Sequence, residues 1–148
     1  MFKDNLKLIG ELNLLLVGKD GNVKFEKNYP NLVLASGKEY IAQRMTSNST
    51  PIMSSIAVGS GTTLPNVSDT SLEEEIRRKP LTSVNVTSNT ITYVCTFEAN
   101  EGTGGLTEAG IFNSTTANSG TILCRTTFPV VNKEENDVFT ITWNVTPI

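Results

Sequence analysis

Three kinds of residue in this 148-residue chain could do chemistry: clustered carboxylates, two thiols, and a glycine pair beside an apolar run. Glu73-Glu74-Glu75 are adjacent acids; on a helix they fan around the axis, so they make neither a general acid–base pair nor a calcium cage. Glu98 with Glu101 or Glu108 is the one acid combination that tempts as a histidine-free glycosidase. Such an enzyme needs two carboxyls facing each other across about 5–10 Å, and no supporting motif accompanies these. The chain has no histidine, which removes the commonest general base and metal ligand and excludes a histidine-dependent triad. No Gly-x-Ser-x-Gly elbow is present either. Cys95 and Cys124 cannot make a four-ligand zinc site without histidine. Each is in phase with apolar neighbours and reads as a small buried hydrophobe; a disulfide between them stays open. Gly59-Ser60-Gly61 follows the apolar Ile56-Ala57-Val58, but no lysine follows, and ten residues separate Thr62 from Leu72, so nucleotide binding is rejected. Trp143 with Tyr93 could form a sugar platform, yet their apolar neighbours in phase favour core packing. The expectation is a non-enzymatic protein with no catalytic residue, cofactor or metal.

Composition constrains the elements that position these residues. A net charge of −3, with no basic cluster beyond Arg77–Lys79, lacks the positive footprint of a nucleic-acid binder. No stretch is long enough to span a membrane as a helix. Leu12–Val17 is short, and Asp4 and Glu11 intrude where a signal peptide needs a basic start and a clean apolar core, so synthesis in a cytoplasm is expected. Sequons at Asn48, Asn66, Asn85, Asn113 and Asn144 then read as chance. Apolar residues at 38%, with abundant Ser, Thr, Asn and Gly, suit one β-rich domain.

The pattern along the chain predicts a hairpin from Ile9–Val17 and Val23–Glu26 about an Asp20-Gly21 turn. A helix opens near Ser36-Gly37-Lys38-Glu39, at capping-box spacing, with Ile41 and Met45 on one face. After the Ile56 strand and the glycine loop, Thr70 and Glu73 repeat that spacing and predict a second short helix, Leu72–Ile76, stopped by Pro80. Beyond it the period is two: Leu81–Thr87, a Ser88-Asn89 turn, Asn89–Phe97, Leu106–Phe112, Thr121–Phe128 and Val138–Thr146. The expected architecture is mainly β: an antiparallel β-sandwich or open barrel of about seven or eight strands with two short helices in the first half. Residues 1–30 are expected to form an N-terminal hairpin or arm, and 31–148 the core.

Read in order, NLVLASGKEYIAQRM, SIAVGSGTTLPNVSDTSLEEEIRR, LTEAGIFN, TILCRTTFP and FTITWNV resemble a family of small tailed-bacteriophage virion proteins. They are also similar in outline to the particle-attaching N-terminal domain of tail-collar and tail-fibre proteins. The resemblance runs from about Asn31 to Val145, but the loop Val58-Gly59-Ser60-Gly61 lacks the aspartate common in fibre-collar versions. It implies a virion structural protein of fibre, collar, neck or baseplate-adaptor type, made in the bacterial host and present in several copies among other virion proteins. Capsid decoration or a head fibre is the alternative, and a carbohydrate-binding attachment module a further one.

Two site expectations follow. Polar, glycine-bearing loops flanked by firm strands are the candidates for partner contact. They are Gly59–Asp69 (Gly59, Ser60, Gly61, Pro65, Asn66), Asn100–Gly105 (Gly102, Gly104, Gly105) and Asn113–Gly120 (Asn113, Asn118). Arg77 or Arg78 is expected to pair with Glu108, because an unpaired acid at the rim of a core strand is costly.

Overall fold

Alternating apolar and polar residues close into two antiparallel sheets in a computed structural model that describes residues 3–148. The strands are β1 (Leu8–Val17), β2 (Val23–Pro30), β3 (Leu32–Val33), β4 (Ser55–Gly59), β5 (Glu75–Pro80), β6 (Ser83–Thr87), β7 (Thr90–Phe97), β8 (Gly104–Phe112), β9 (Ile122–Lys133) and β10 (Val138–Pro147). One helix, α1 (Ala35–Thr46), follows β3. The first sheet has the order β2-β1-β10-β7-β6 and the second β3-β9-β8-β4-β5. Hairpins build each sheet locally, and the segments after β2, β5, β7 and β9 carry the chain from one sheet to the other. The result is a β-sandwich-like fold with more strands and fewer helices than the sequence pattern predicts.

Period two decides what lies between the sheets. Leu12, Leu14 and Leu16 of β1, Tyr93, Cys95 and Phe97 of β7, and Phe139, Ile141, Trp143 and Val145 of β10 point inward. They meet Ile56, Val58, Leu106, Ala109, Ile111, Cys124 and Val131 from the second sheet. Each large side chain so buried contributes about 1.5–3 kcal/mol relative to exposure. Trp143 is fully buried, and its indole Nε1 donates to Asn31 Oδ1 at 2.6 Å, which satisfies the one polar atom the ring carries into the core. Tyr93 is buried as well, so the two aromatics form core and not a sugar platform. β10, the most regular alternation in the sequence, lies inside the sheet between β1 and β7. The predicted N-terminal hairpin forms, and its first strand pairs with β10 throughout Leu8–Val17.

The helix at Leu72–Ile76 does not form. Ser71, Glu73 and Glu74 are bends, Leu72 has no regular structure, and Glu75–Pro80 is β5, paired to β4. A five-residue helix lies well below the length at which helix propagation offsets nucleation, so tertiary hydrogen bonds decide the conformation. Glu73 Oε1 accepts from Thr62 N at 3.2 Å across the loop, and the amides of Glu73 and Glu74 go to a buried side chain described below. In the helix that does form, Ser36 Oγ donates to Ile122 O at 2.8 Å instead of capping. Tyr40 is in the core and Met45 is exposed, so the inward face of α1 differs from the expected Ile41–Met45 pair.

Candidate functional site

The outer side of the second sheet holds an unusual set of buried charges, and strand geometry puts them there. Along β8, Leu106, Ala109 and Ile111 face the sandwich interior, while Glu108 and Phe112 lie under the segments that cover the sheet from outside. An irregularity opposite Thr107, where the pairing steps from Leu106↔Val131 to Glu108↔Thr127, allows this switch of faces. On β9, Arg125 pairs with Gly110 and therefore sits diagonally across from Glu108. Leu72 comes down from the covering segment onto Ala57, Phe112, Ile122 and Leu34 to make a second, smaller core.

Glu108 is completely buried, and its two oxygens receive five hydrogen bonds. Oε1 accepts from the amides of Gly61 at 2.9 Å and Glu74 at 2.7 Å. Oε2 accepts from the amide of Glu73 at 3.0 Å and from Arg125 Nε and Nη2 at 3.1 and 2.9 Å. Arg125 in turn reaches Asp69 Oδ2 at 3.0 Å through Nη1, and Thr63 O at 3.1 Å through Nη2. A carboxylate so solvated by fixed donors replaces the water lost on burial. The arrangement pins residues 61–74 to the sheet at both ends and the middle. The glycine pair belongs to this device: a Cβ on Gly61 would lie 2.5 Å from Glu108 Oε1, and one on Gly59 would lie 2.6 Å from it.

A second anchor lies on β5. The pairing skips Ile76 between Val58↔Arg77 and Gly59↔Glu75, and this bulge brings Glu75 and Arg78 together. Arg78 Nη2 meets Glu75 Oε1 at 2.7 Å with both side chains nearly sealed from water. Its Nη1 donates to Ser114 O at 3.1 Å and Ser119 O at 2.6 Å, and the guanidinium carbon lies 3.8 Å from the centre of the Phe112 ring. Glu75 Oε2 accepts from the amide of Asn118 at 3.3 Å. Loop 113–121 is thereby fastened across its base, with Asn113 Oδ1 closing it by accepting from Thr121 N at 2.6 Å.

The third loop, between β7 and β8, is held from two directions. Lys79 Nζ lies 2.5 Å from Glu101 Oε2, and that oxygen also accepts from Glu98 N at 2.8 Å. The Lys79 ammonium holds the Glu101 carboxyl below the usual range. Buried Lys133 donates to Glu98 O at 2.9 Å, and burial lowers the pKa of its amine. Asn100 and Gly102 take left-handed conformations, φ 66° and 64°, to make this turn.

The structure therefore corrects the predicted pair. Glu108 is matched by Arg125, while Arg78 binds Glu75 and Arg77 only approaches Glu101, at 3.9 Å with half its side chain exposed. Arg78 follows the bulge toward Phe112, and Glu108 lies one strand further in, beside β9. A signal for Arg125 existed in the sequence: it is the one charge in Thr121–Val131 and directly follows Ile122-Leu123-Cys124, just as Glu108 is the one charge in Gly104–Phe112. Two lone opposite charges in consecutive apolar strands require each other.

The expected contact loops divide in the same way. Gly59, Gly61 and Gly102 are buried, and Ser60, Pro65, Gly104, Gly105 and Asn113 are partly covered; Asn66 and Asn118 are exposed. The exposed stretches of these loops are residues 62–64, 66–68 and 115–118, around those two asparagines. Glu108 and Glu101 are committed to Arg125 and Lys79, so neither is an open carboxyl for acid–base work. Cys95 and Cys124 are free buried thiols; burial pushes Cys95 up to about 12 and Cys124 up as well. Among the described residues no group of three His, Cys, Asp or Glu could hold a metal, and no helix is long and apolar enough to cross a membrane. In comparisons with known proteins, no family model, no curated protein and no solved structure matches this chain.

Proposed function

We propose that this chain is a non-enzymatic structural protein of a tailed-phage particle, of fibre, collar, neck or baseplate-adaptor type, acting through protein–protein contacts. The observation that carries the reading is that two buried arginines, Arg125 and Arg78, fasten two polar loops to one side of the second sheet. A loop held at its base by charge-assisted hydrogen bonds loses little conformational entropy on docking, which suits repeated shallow contacts. Multiplied by the symmetry of a particle, such contacts reach high avidity although each is weak. The order of motifs from Asn31 to Val145 and its resemblance to small virion proteins support the same reading.

The test is immunogold electron microscopy on intact particles of the phage that encodes the chain. Label on one symmetric feature, such as collar, baseplate or fibre root, is the expected result. Label spread over the head would move the protein to the capsid-decoration class. Particles without label, with the protein free in the lysate, would overturn the proposal.

A further inference from the structure

The sandwich has four lateral rims, and three of them are blunted. β2 carries Lys24, Glu26 and Lys27 and ends in Pro30. β5 carries Arg77, Arg78 and Lys79, a bulge at Ile76, and Pro80. On the remaining rim of the second sheet β3 is two residues long, Thr126 Oγ1 of β9 donates to Pro30 O of the adjoining segment, and Pro129 interrupts β9 beyond it. These are the devices by which sheets avoid edge-to-edge pairing. β6 has none of them: Ser83–Thr87 is regular in its pairing, exposed at every residue and without charge or proline, and no charged residue occurs from Leu81 to Phe97.

We propose that β6 is a self-association edge, pairing antiparallel with β6 of a second copy to join two first sheets into one ten-stranded sheet. The register follows from the hairpin. The two-residue turn Ser88-Asn89 makes Thr87 and Thr90 a hydrogen-bonded pair, so residues 83, 85 and 87 direct their backbone groups to β7. Val84 and Val86 direct theirs outward. A two-fold axis through Asn85 sets Val84 opposite Val86 of the second copy, and the reverse, so both pairs exchange N–H and C=O bonds. The same operation gathers four valines, each 47% or 68% exposed in the single chain, on the side of the sheet that faces the second sheet. No like charges meet, and Asn85 faces Asn85.

A second copy is the occupant because the strand is self-complementary in this register. The other rims being blocked, β6 can find an open edge on another copy only at its β6, which closes the assembly as a dimer and prevents fibres. Five paired residues span about 17 Å, a contact smaller than a standard stable interface, so the dimer is weak in dilute solution. The inference does not depend on the particle reading.

Sedimentation velocity of the full chain from about 10 μM to about 1 mM, with site-directed cross-linking, tests it. The wild type should shift toward twice its monomer mass with concentration, and Val86→Lys should stay monomeric. Asn85→Cys should form an intermolecular disulfide under mild oxidation, because the two-fold axis places its Cβ beside its mate at a non-hydrogen-bonded pair. Thr87→Cys lies two residues off the axis and should cross-link at least tenfold more slowly; Cys95 and Cys124 are buried and do not compete. Equal cross-linking at 85 and 87, a monomer throughout the range, or a dimer unaffected by Val86→Lys would overturn the proposal. A strand from a different protein as the occupant would appear as the monomeric outcome.

Discussion

Glu108 and Arg125 show how a buried charge is tolerated when every polar atom is matched. Five donors surround the carboxylate, and the guanidinium also reaches Asp69 and Thr63 O. Taking charge from one partner leaves the other buried and uncompensated. Glu108→Gln should lower unfolding stability by about 3–5 kcal/mol, read from the urea midpoint. A loss under about 1 kcal/mol would mean that the amides of residues 61, 73 and 74 matter less than the geometry implies. Single letters made this pair legible only in part. Both residues stand out as lone charges in apolar strands, but a helix over 72–76 would present Arg77 and Arg78 as the partners of Glu108. The partner changes once those residues leave the helix, because the β5 bulge turns Arg78 onto Phe112.

The elements that answered their sequence signals are those whose period is long. β1, β7 and β10 alternate over eight to ten residues and form at nearly the predicted bounds. The segment 59–74 carries turn residues and a capping-box spacing, and its conformation is set by Glu108 and Arg125 from other strands. Local signals are weak over so few residues, and five long-range hydrogen bonds outweigh them. The loop at 113–121 is held in the same way by Arg78 and Glu75 of β5. Arg78→Lys keeps the charge but loses the forked donors and the stacking on Phe112. Limited proteolysis should then cut faster within 115–118, with far-UV circular dichroism unchanged; unchanged cleavage would show that the Asn113–Thr121 closure suffices. Deleting Gly102–Gly105, by contrast, should damage the fold itself, since Gly102 is buried and β8 starts at Gly104.

At the scale of the molecule, acid should weaken the fold through its paired carboxylates. Lys24 holds the buried Asp137 carboxyl below its usual range, and Lys79 does the same for Glu101. A depressed folded pKa adds stability that is full above the unfolded value near 4 and is lost as pH falls through the folded value. The melting temperature should therefore be flat from about pH 5 to 7 and fall below about pH 4. Asp137→Asn should lower the plateau and flatten that decline. A decline already under way between pH 6 and 7 would contradict this, since no histidine is present to titrate there.

What the amino-acid order determined alone is the class of the protein. Long stretches of period two in a chain of low charge require buried sheets, and the absence of histidine removes only histidine-dependent chemistry. Tertiary structure decided which charges pair, which loops are held down, and which rim stays open. Those outcomes depend on bulges at Ile76 and opposite Thr107. A bulge changes the face of every later side chain in its strand, while leaving almost no trace in the local composition.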